Sequence, residues 1–123
     1  MTVNETIDRR AIDEMLENTG GDPEFVVEII EDFLADVAIR LEELSTALYA
    51  KDSAAAKRAA HTIKGSSRSF GASRLANLAA ELEQLSLQSA FESVTEQLPD
   101  LRAELDRVGE ALRQEQARST EAG

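Results

Sequence analysis

The stretch DPEFVVEIIEDFLADVAIRLEELSTAL, residues 22–48, decides how this chain folds. Phe25, Ile29, Phe33, Val37, Leu41, Leu44 and Leu48 recur every three or four residues, and Val26, Ile30 and Leu34 widen the stripe. That spacing is the period of an α-helix with one apolar face, whereas a half-buried strand would alternate every second residue. Asp22 and Pro23 mark the start: the carboxylate accepts from free N–H groups of the first turn, and proline at the first helical position has no N–H to leave unpaired. A helix this long with so broad a stripe has to be covered by other helices.

The flanking sequence supplies them. Upstream, IDRRAIDEMLEN (residues 7–18) sets Ile7, Ala11, Ile12, Met15 and Leu16 at helical spacing, and NTGG ends it with a glycine stop. Downstream, Asp52 or Ser53 is placed to cap a third helix that runs to about Phe70, where Gly71 breaks it. ASRLANLAAELEQLSLQ (residues 72–88) resumes the period through Leu75, Leu78, Leu82 and Leu85. A last helix begins near Phe91 and carries Val94, Leu98, Leu101, Leu105, Val108 and Leu112. Pro99 lies inside it and predicts a kink or a restart. The sequence therefore predicts an all-α protein: an antiparallel four-helix bundle with a short additional N-terminal helix. Residues 1–115 form the single domain, and residues 116–123, without apolar anchors, form a frayed tail.

Composition narrows the function. A chain of 123 residues with 42% hydrophobic content has material for one continuous core. The absence of cysteine removes disulfides, thiolate metal sites and cysteine nucleophiles, and a single histidine removes multi-histidine sites, so no metal site is expected. A formal net charge of −11 opposes binding to nucleic acid or to an anionic membrane surface. No run is long enough to span a bilayer, and the opening MTVNETIDRR lacks the apolar core of a signal peptide. These features predict a cytoplasmic protein, and a stripe matched to an internal bundle predicts a monomer.

The one histidine, His61, stands in AAHTIKGSSRSFG (residues 59–71), among the few clustered cations of an acidic chain. At about 100° per residue, Lys57, Arg58, Lys64, Gly65 and Arg68 fall within about 60° of His61 on one helix face. Ala56, Ala59, Ile63, Ser66 and Phe70 fall on the opposite face, which becomes the core face. His61 thus points away from the main stripe. Gly65 costs a helix interior about 1 kcal/mol relative to alanine and leaves bare backbone one turn from the imidazole, where a second protein could approach. The cations disfavour an imidazolium and would stabilise a negatively charged group attached to the ring. They also oppose metal binding. Ser66, Ser67 and Ser69 lack the elbow context of a hydrolase nucleophile.

The segment AAHTIKGSSRSFGASRLANLAAELE (residues 59–83) resembles the histidine phosphotransfer (HPt) domain family of two-component phosphorelays. The family pattern is His-x-x-Lys-Gly, a glycine closing the helix and a leucine-rich partner helix ending in Gln or Glu. Here these are His61, Lys64, Gly65, Gly71, Leu75, Leu78, Leu82 and Glu83, and the similarity extends over roughly residues 7–105. The resemblance implies that His61 accepts a phosphoryl group on Nε2 from an aspartyl phosphate and passes it to another aspartate. It implies that Lys64 neutralises phosphoryl oxygens, that Gly65 admits the partner and that Glu83 accepts from Nδ1–H to orient the imidazole. Many members carry glutamine at that last position. Arg58 and Arg68 are candidates for partner docking, and Ser66 and Ser67 for close helix packing.

The implied partners are response-regulator receiver domains, which would bring the Mg²⁺ site, and a sensor or hybrid histidine kinase. No Gly-rich nucleotide loop is present, so the chain is expected not to phosphorylate itself. Two other readings are a non-catalytic module that sequesters a receiver and the substrate domain of a chemotaxis-type histidine kinase. A general-base enzyme is a distant third.

Overall fold

The computed structural model describes residues 7–18 and 20–122. The first six residues of the 1–115 domain, Thr19 of the NTGG stretch and the last residue of the tail lie outside the described residues. Five helices follow in order: α1 (Arg9–Asn18), α2 (Pro23–Tyr49), α3 (Ser53–Ser69), α4 (Ser73–Leu87) and α5 (Phe91–Ala122). Each of α2 to α5 packs against two of the others, α3 against α2 and α4, α5 against α4 and α2. Short connections make successive helices antiparallel, so the four close around one core. The all-α bundle with a short extra helix is the architecture the sequence predicts.

The helix starts follow from the residues named above. Asp22 accepts from the Glu24 N–H at 3.0 Å, and Asp52, rather than Ser53, caps α3 by accepting from the Ala55 N–H at 3.1 Å. Val26, Ile30, Phe33, Val37, Leu41, Leu44 and Leu48 of α2 are buried, with Val94, Leu101, Val108 and Leu112 of α5 facing them across the core. The expected stripe is displaced at its start, because Phe25 is about half exposed while Val26 carries the burial. Phe33 and Phe70 stack with ring centroids 4.2 Å apart, tying α2 to the end of α3.

Two expectations are corrected. α5 does not restart at Pro99 and is one helix from Phe91 to Ala122. Apolar residues on both sides of the proline, Val94 and Leu101 at full burial, anchor the helix and override the local preference to break. On α3, Ser67 is fully buried and Ser66 only half-buried. The helix is covered by α2 on one side and α4 on the other, so its buried arc takes in Ala60 and Ser67 as well, and the Ser67 hydroxyl donates to the Ile63 carbonyl at 2.6 Å. The helical backbone of α5 continues to Ala122, through most of residues 116–123.

The sequence also gave no warning of Glu104, buried in α5. Its Oε1 accepts from Arg107 Nε at 2.8 Å and lies 3.4 Å from Arg74 Nε of α4.

The three turns between bundle helices share one hydrogen-bond pattern. Lys51, Gly71 and Ser89 have φ of 55°, 68° and 55°. The residue after each returns its N–H to a carbonyl five positions back, Asp52 to Ala47, Ala72 to Ser67 and Ala90 to Leu85, all at 2.9 Å. This is the left-handed helix stop that glycine adopts without steric cost. A side chain at such a position costs about 1–2 kcal/mol, part of which glycine gives back through its freer unfolded chain. Lys51→Gly and Ser89→Gly are therefore each expected to raise stability by about 0.5–1 kcal/mol. An unchanged or lowered denaturant midpoint would contradict that.

Candidate functional site

α3 and α4 make the most extensive helix pair in the molecule, and small residues make this possible. Ala56, Ala59, Ala60 and Ser67 of α3 and Ala76, Ala79 and Ser86 of α4 are all buried. Short side chains let two helices approach closely. Glu83, on the edge of this seam, is therefore brought to the middle of α3.

There the carboxylate bridges two side chains from successive turns. Glu83 Oε2 lies 2.8 Å from His61 Nδ1, and Oε1 accepts from Lys64 Nζ at 2.6 Å. The Glu83 side chain is 9% exposed and that of Lys64 19%, whereas the imidazole is 63% exposed. Lys64 beside Glu83 holds the carboxyl below the usual carboxylate range; burial opposes this, and the His61 hydrogen bond adds to it. An ionised carboxylate only accepts, so the proton in the 2.8 Å contact belongs to Nδ1, and in the neutral ring the lone pair is then on Nε2.

The geometry carries a pH dependence. A carboxyl whose folded-state pKa is depressed contributes stability above its unfolded value and loses it as pH falls through the folded one. Glu83→Gln is expected to be less stable than the wild type at neutral pH, with the gap closing as pH falls below about 4. Thermal melts of both proteins across acid pH check this; a gap that stays constant or widens would contradict it.

The six candidate residues are partly assembled. His61, Lys64 and Glu83 form one hydrogen-bonded unit. Arg58 lines a shallow open groove with Ala54, Lys57, His61 and Glu83, while Gly65 and Arg68 lie exposed further along α3. A Cβ on Gly65 would meet nothing within 4 Å. The Glu83 contact with Lys64 was not read from the sequence, although His61, Lys64 and Glu83 were each singled out. Ala54 was also missed, and its spacing of seven from His61 was the available signal.

Positive charge gathers on this face. Arg10, Arg40, Arg74, Arg102 and Arg107 each lie within 4.0 Å of a carboxylate. Lys57, Arg58 and Arg68 make no ion pair among the described residues, and α3 contains no acidic residue at all. An uncompensated positive strip around an exposed, oriented imidazole is suited to a negatively charged reaction partner.

The Hpt domain model matches residues 28–114. This chain belongs to the Hpt domain family. Hpt domains are phosphotransfer modules of phosphorelays, not kinases with an ATP site of their own. The chain is similar to the crystal structure of histidine-containing phosphotransfer protein B (HptB) from Pseudomonas aeruginosa PAO1, with a TM-score of 0.85 and 26% identity over 94% of this chain and 98% of that one. It shares its fold with the HPT domain from an Hpt sensor hybrid histidine kinase from Shewanella, at a TM-score of 0.67 and 22% identity over 93% and 96% of the two chains. The search of curated proteins gave no match. No helix among the described residues of this Hpt domain is long and apolar enough to cross a membrane.

Proposed function

We propose that this Hpt domain is a phosphorelay intermediate in which His61 Nε2 takes a phosphoryl group from a receiver-domain aspartyl phosphate and passes it to another receiver aspartate. The observation that carries the reading is the exposed imidazole whose Nδ1 is engaged by a buried, ionised Glu83. Phosphoryl transfer needs in-line placement and charge neutralisation more than a deep pocket, and a rigid helix with an outward Nε2 meets the first need. Lys64, one turn away, supplies positive charge to the phosphoryl oxygens. Arg58 and Arg68 guide the acidic receiver site, which brings its own Mg²⁺. The donor at the head of the relay is a sensor or hybrid histidine kinase, and the domain works as a cytoplasmic monomer.

Gly65 supports partner access because no folding reason for it is visible. Since an added Cβ meets no neighbour, Gly65→Ala is expected to stabilise the fold by about 0.5–1 kcal/mol. Gly65→Leu, equally unopposed within the chain, is expected to impair receiver docking and slow transfer at least about tenfold, a barrier increase of about 1.4 kcal/mol. Unaltered receiver affinity and transfer in the leucine variant would reject the access role.

The direct test mixes the domain with receiver domains charged on aspartate and follows acid-labile phosphate. Its appearance on this chain is the expected result. Receiver binding without phosphate uptake would favour the sequestering module, and labelling by a kinase with none from receivers would favour the kinase-substrate reading.

A further inference from the structure

The residue that holds Nδ1 is a carboxylate, and a neutral amide could have accepted the same hydrogen bond. Orientation and tautomer alone therefore do not require the charge, nor the cost of burying it. What an amide does far less well is stabilise a positive ring. Resting on the reading of His61 as phosphoryl acceptor, we infer that Glu83 keeps the Nδ1 proton on the ring while the phosphoryl group is on Nε2, so that the group departs from an imidazolium.

Nε2 of the Nδ1–H tautomer attacks the phosphorus of the aspartyl phosphate; the N–P bond forms, the P–O bond breaks and the receiver carboxylate leaves. No proton is lost, and the ring carries one positive charge. In onward transfer a receiver carboxylate attacks the phosphorus, the N–P bond breaks with its electron pair returning to Nε2, and the leaving group is neutral imidazole. Had the Nδ1 proton gone to solvent in between, the leaving group would be imidazolate, a far stronger base and a far poorer leaving group.

The surroundings make a counter-charge necessary. Lys57 and Arg58 share the groove with the ring and Lys64 lies one turn on, so the neighbours of the ring on α3 carry positive charge. On the α2 side, Arg40 and Glu43 pair with each other at 2.8 Å, next to Arg58 and Thr62 in the neighbouring groove. Glu83 is the one anionic residue lining the groove that contains His61. Its burial limits solvent screening of the 2.8 Å contact, and Lys64 pins the other oxygen so that the carboxylate keeps its place and its charge.

The test loads the wild type and Glu83→Gln with phosphoramidate. It follows the ³¹P signal of each, and phosphate loss to an uncharged receiver domain, between about pH 6 and pH 9. Because glutamine would leave Lys64 facing an amide, Glu83→Gln with Lys64→Met is measured beside it as a variant without the buried ammonium group. The wild type is expected to keep a protonated phospho-ring and a flat transfer rate across the window. In both variants the ring should lose its proton within the window, with transfer falling about tenfold per pH unit beyond that point. Variant profiles that coincide with the wild type would overturn the proton-holding role while leaving the phosphotransfer reading intact. A wild type that takes up no phosphate from phosphoramidate or from any charged receiver would overturn both.

Discussion

Replacing His61 by glutamine is expected to abolish acid-labile phosphate uptake from charged receivers and to leave the bundle folded. The two halves of this prediction come from the same geometry. The imidazole is 63% exposed and contributes no core packing, and a glutamine amide could still donate to Glu83. The stability change should therefore stay within about 1 kcal/mol. Two neighbours on α3 do not replace the nucleophile: Lys64 is committed to Glu83 at 2.6 Å, and Ser67 is buried and bonded to a carbonyl. Side-by-side labelling and melting of wild type and variant measure both halves. Phosphate retained by a well-folded His61→Gln protein would remove the assignment.

Gly71→Ala should produce the largest loss of stability at any turn, opposite in sign to Lys51→Gly on the same hydrogen-bond pattern. A Cβ at Gly71 would stand 2.8 Å from Asp8 Cβ and 2.9 Å from Asp8 N. Backbone atoms cannot rotate aside as a flexible side-chain end can. The Asp8 N–H donates to the Gly71 carbonyl at 2.8 Å, and Ile7 beside it is buried, so relief of the clash pulls the chain leading into α1 off the bundle. Strain at positive φ of about 1–2 kcal/mol, a lost hydrogen bond of about 1 kcal/mol and partial exposure of Ile7 give an expected cost of about 2–4 kcal/mol. Denaturant unfolding checks the value, and a cost below about 1 kcal/mol would show that the α1 segment yields freely. Phosphate uptake should persist in the folded fraction, since Gly71 lies beyond the end of α3 and outside the His61 groove.

The unequal fate of the sequence expectations has physical reasons. α2 was legible because its apolar residues keep one period over many turns and its cap is written as Asp-Pro. The restart expected at Pro99 does not occur because a local rule was set against packing on both flanks, and packing won. Ser66 was placed on the core face because a single projection axis describes a helix with one neighbour, whereas α3 has two. Glu104 left no trace at all, since a glutamate in the middle of a helix reads as solvated unless the arginines that reach it from α4 and α5 are known. The site was legible as a face, through the spacing of Lys57, Arg58, His61, Lys64 and Gly65. That Glu83 holds His61 and Lys64 together depends on the register of α4 against α3, which small buried residues set through contacts between helices.

The measurement that bears most directly on the proposed mechanism is ¹⁵N and ³¹P NMR of the domain after exposure to a charged receiver. The predicted result is a single phosphoryl group on His61 Nε2, with the Nδ1 proton retained and hydrogen-bonded to Glu83. A phosphoryl group on Nδ1 or on any other residue, or a protein that binds the charged receiver and stays unmodified, would contradict it.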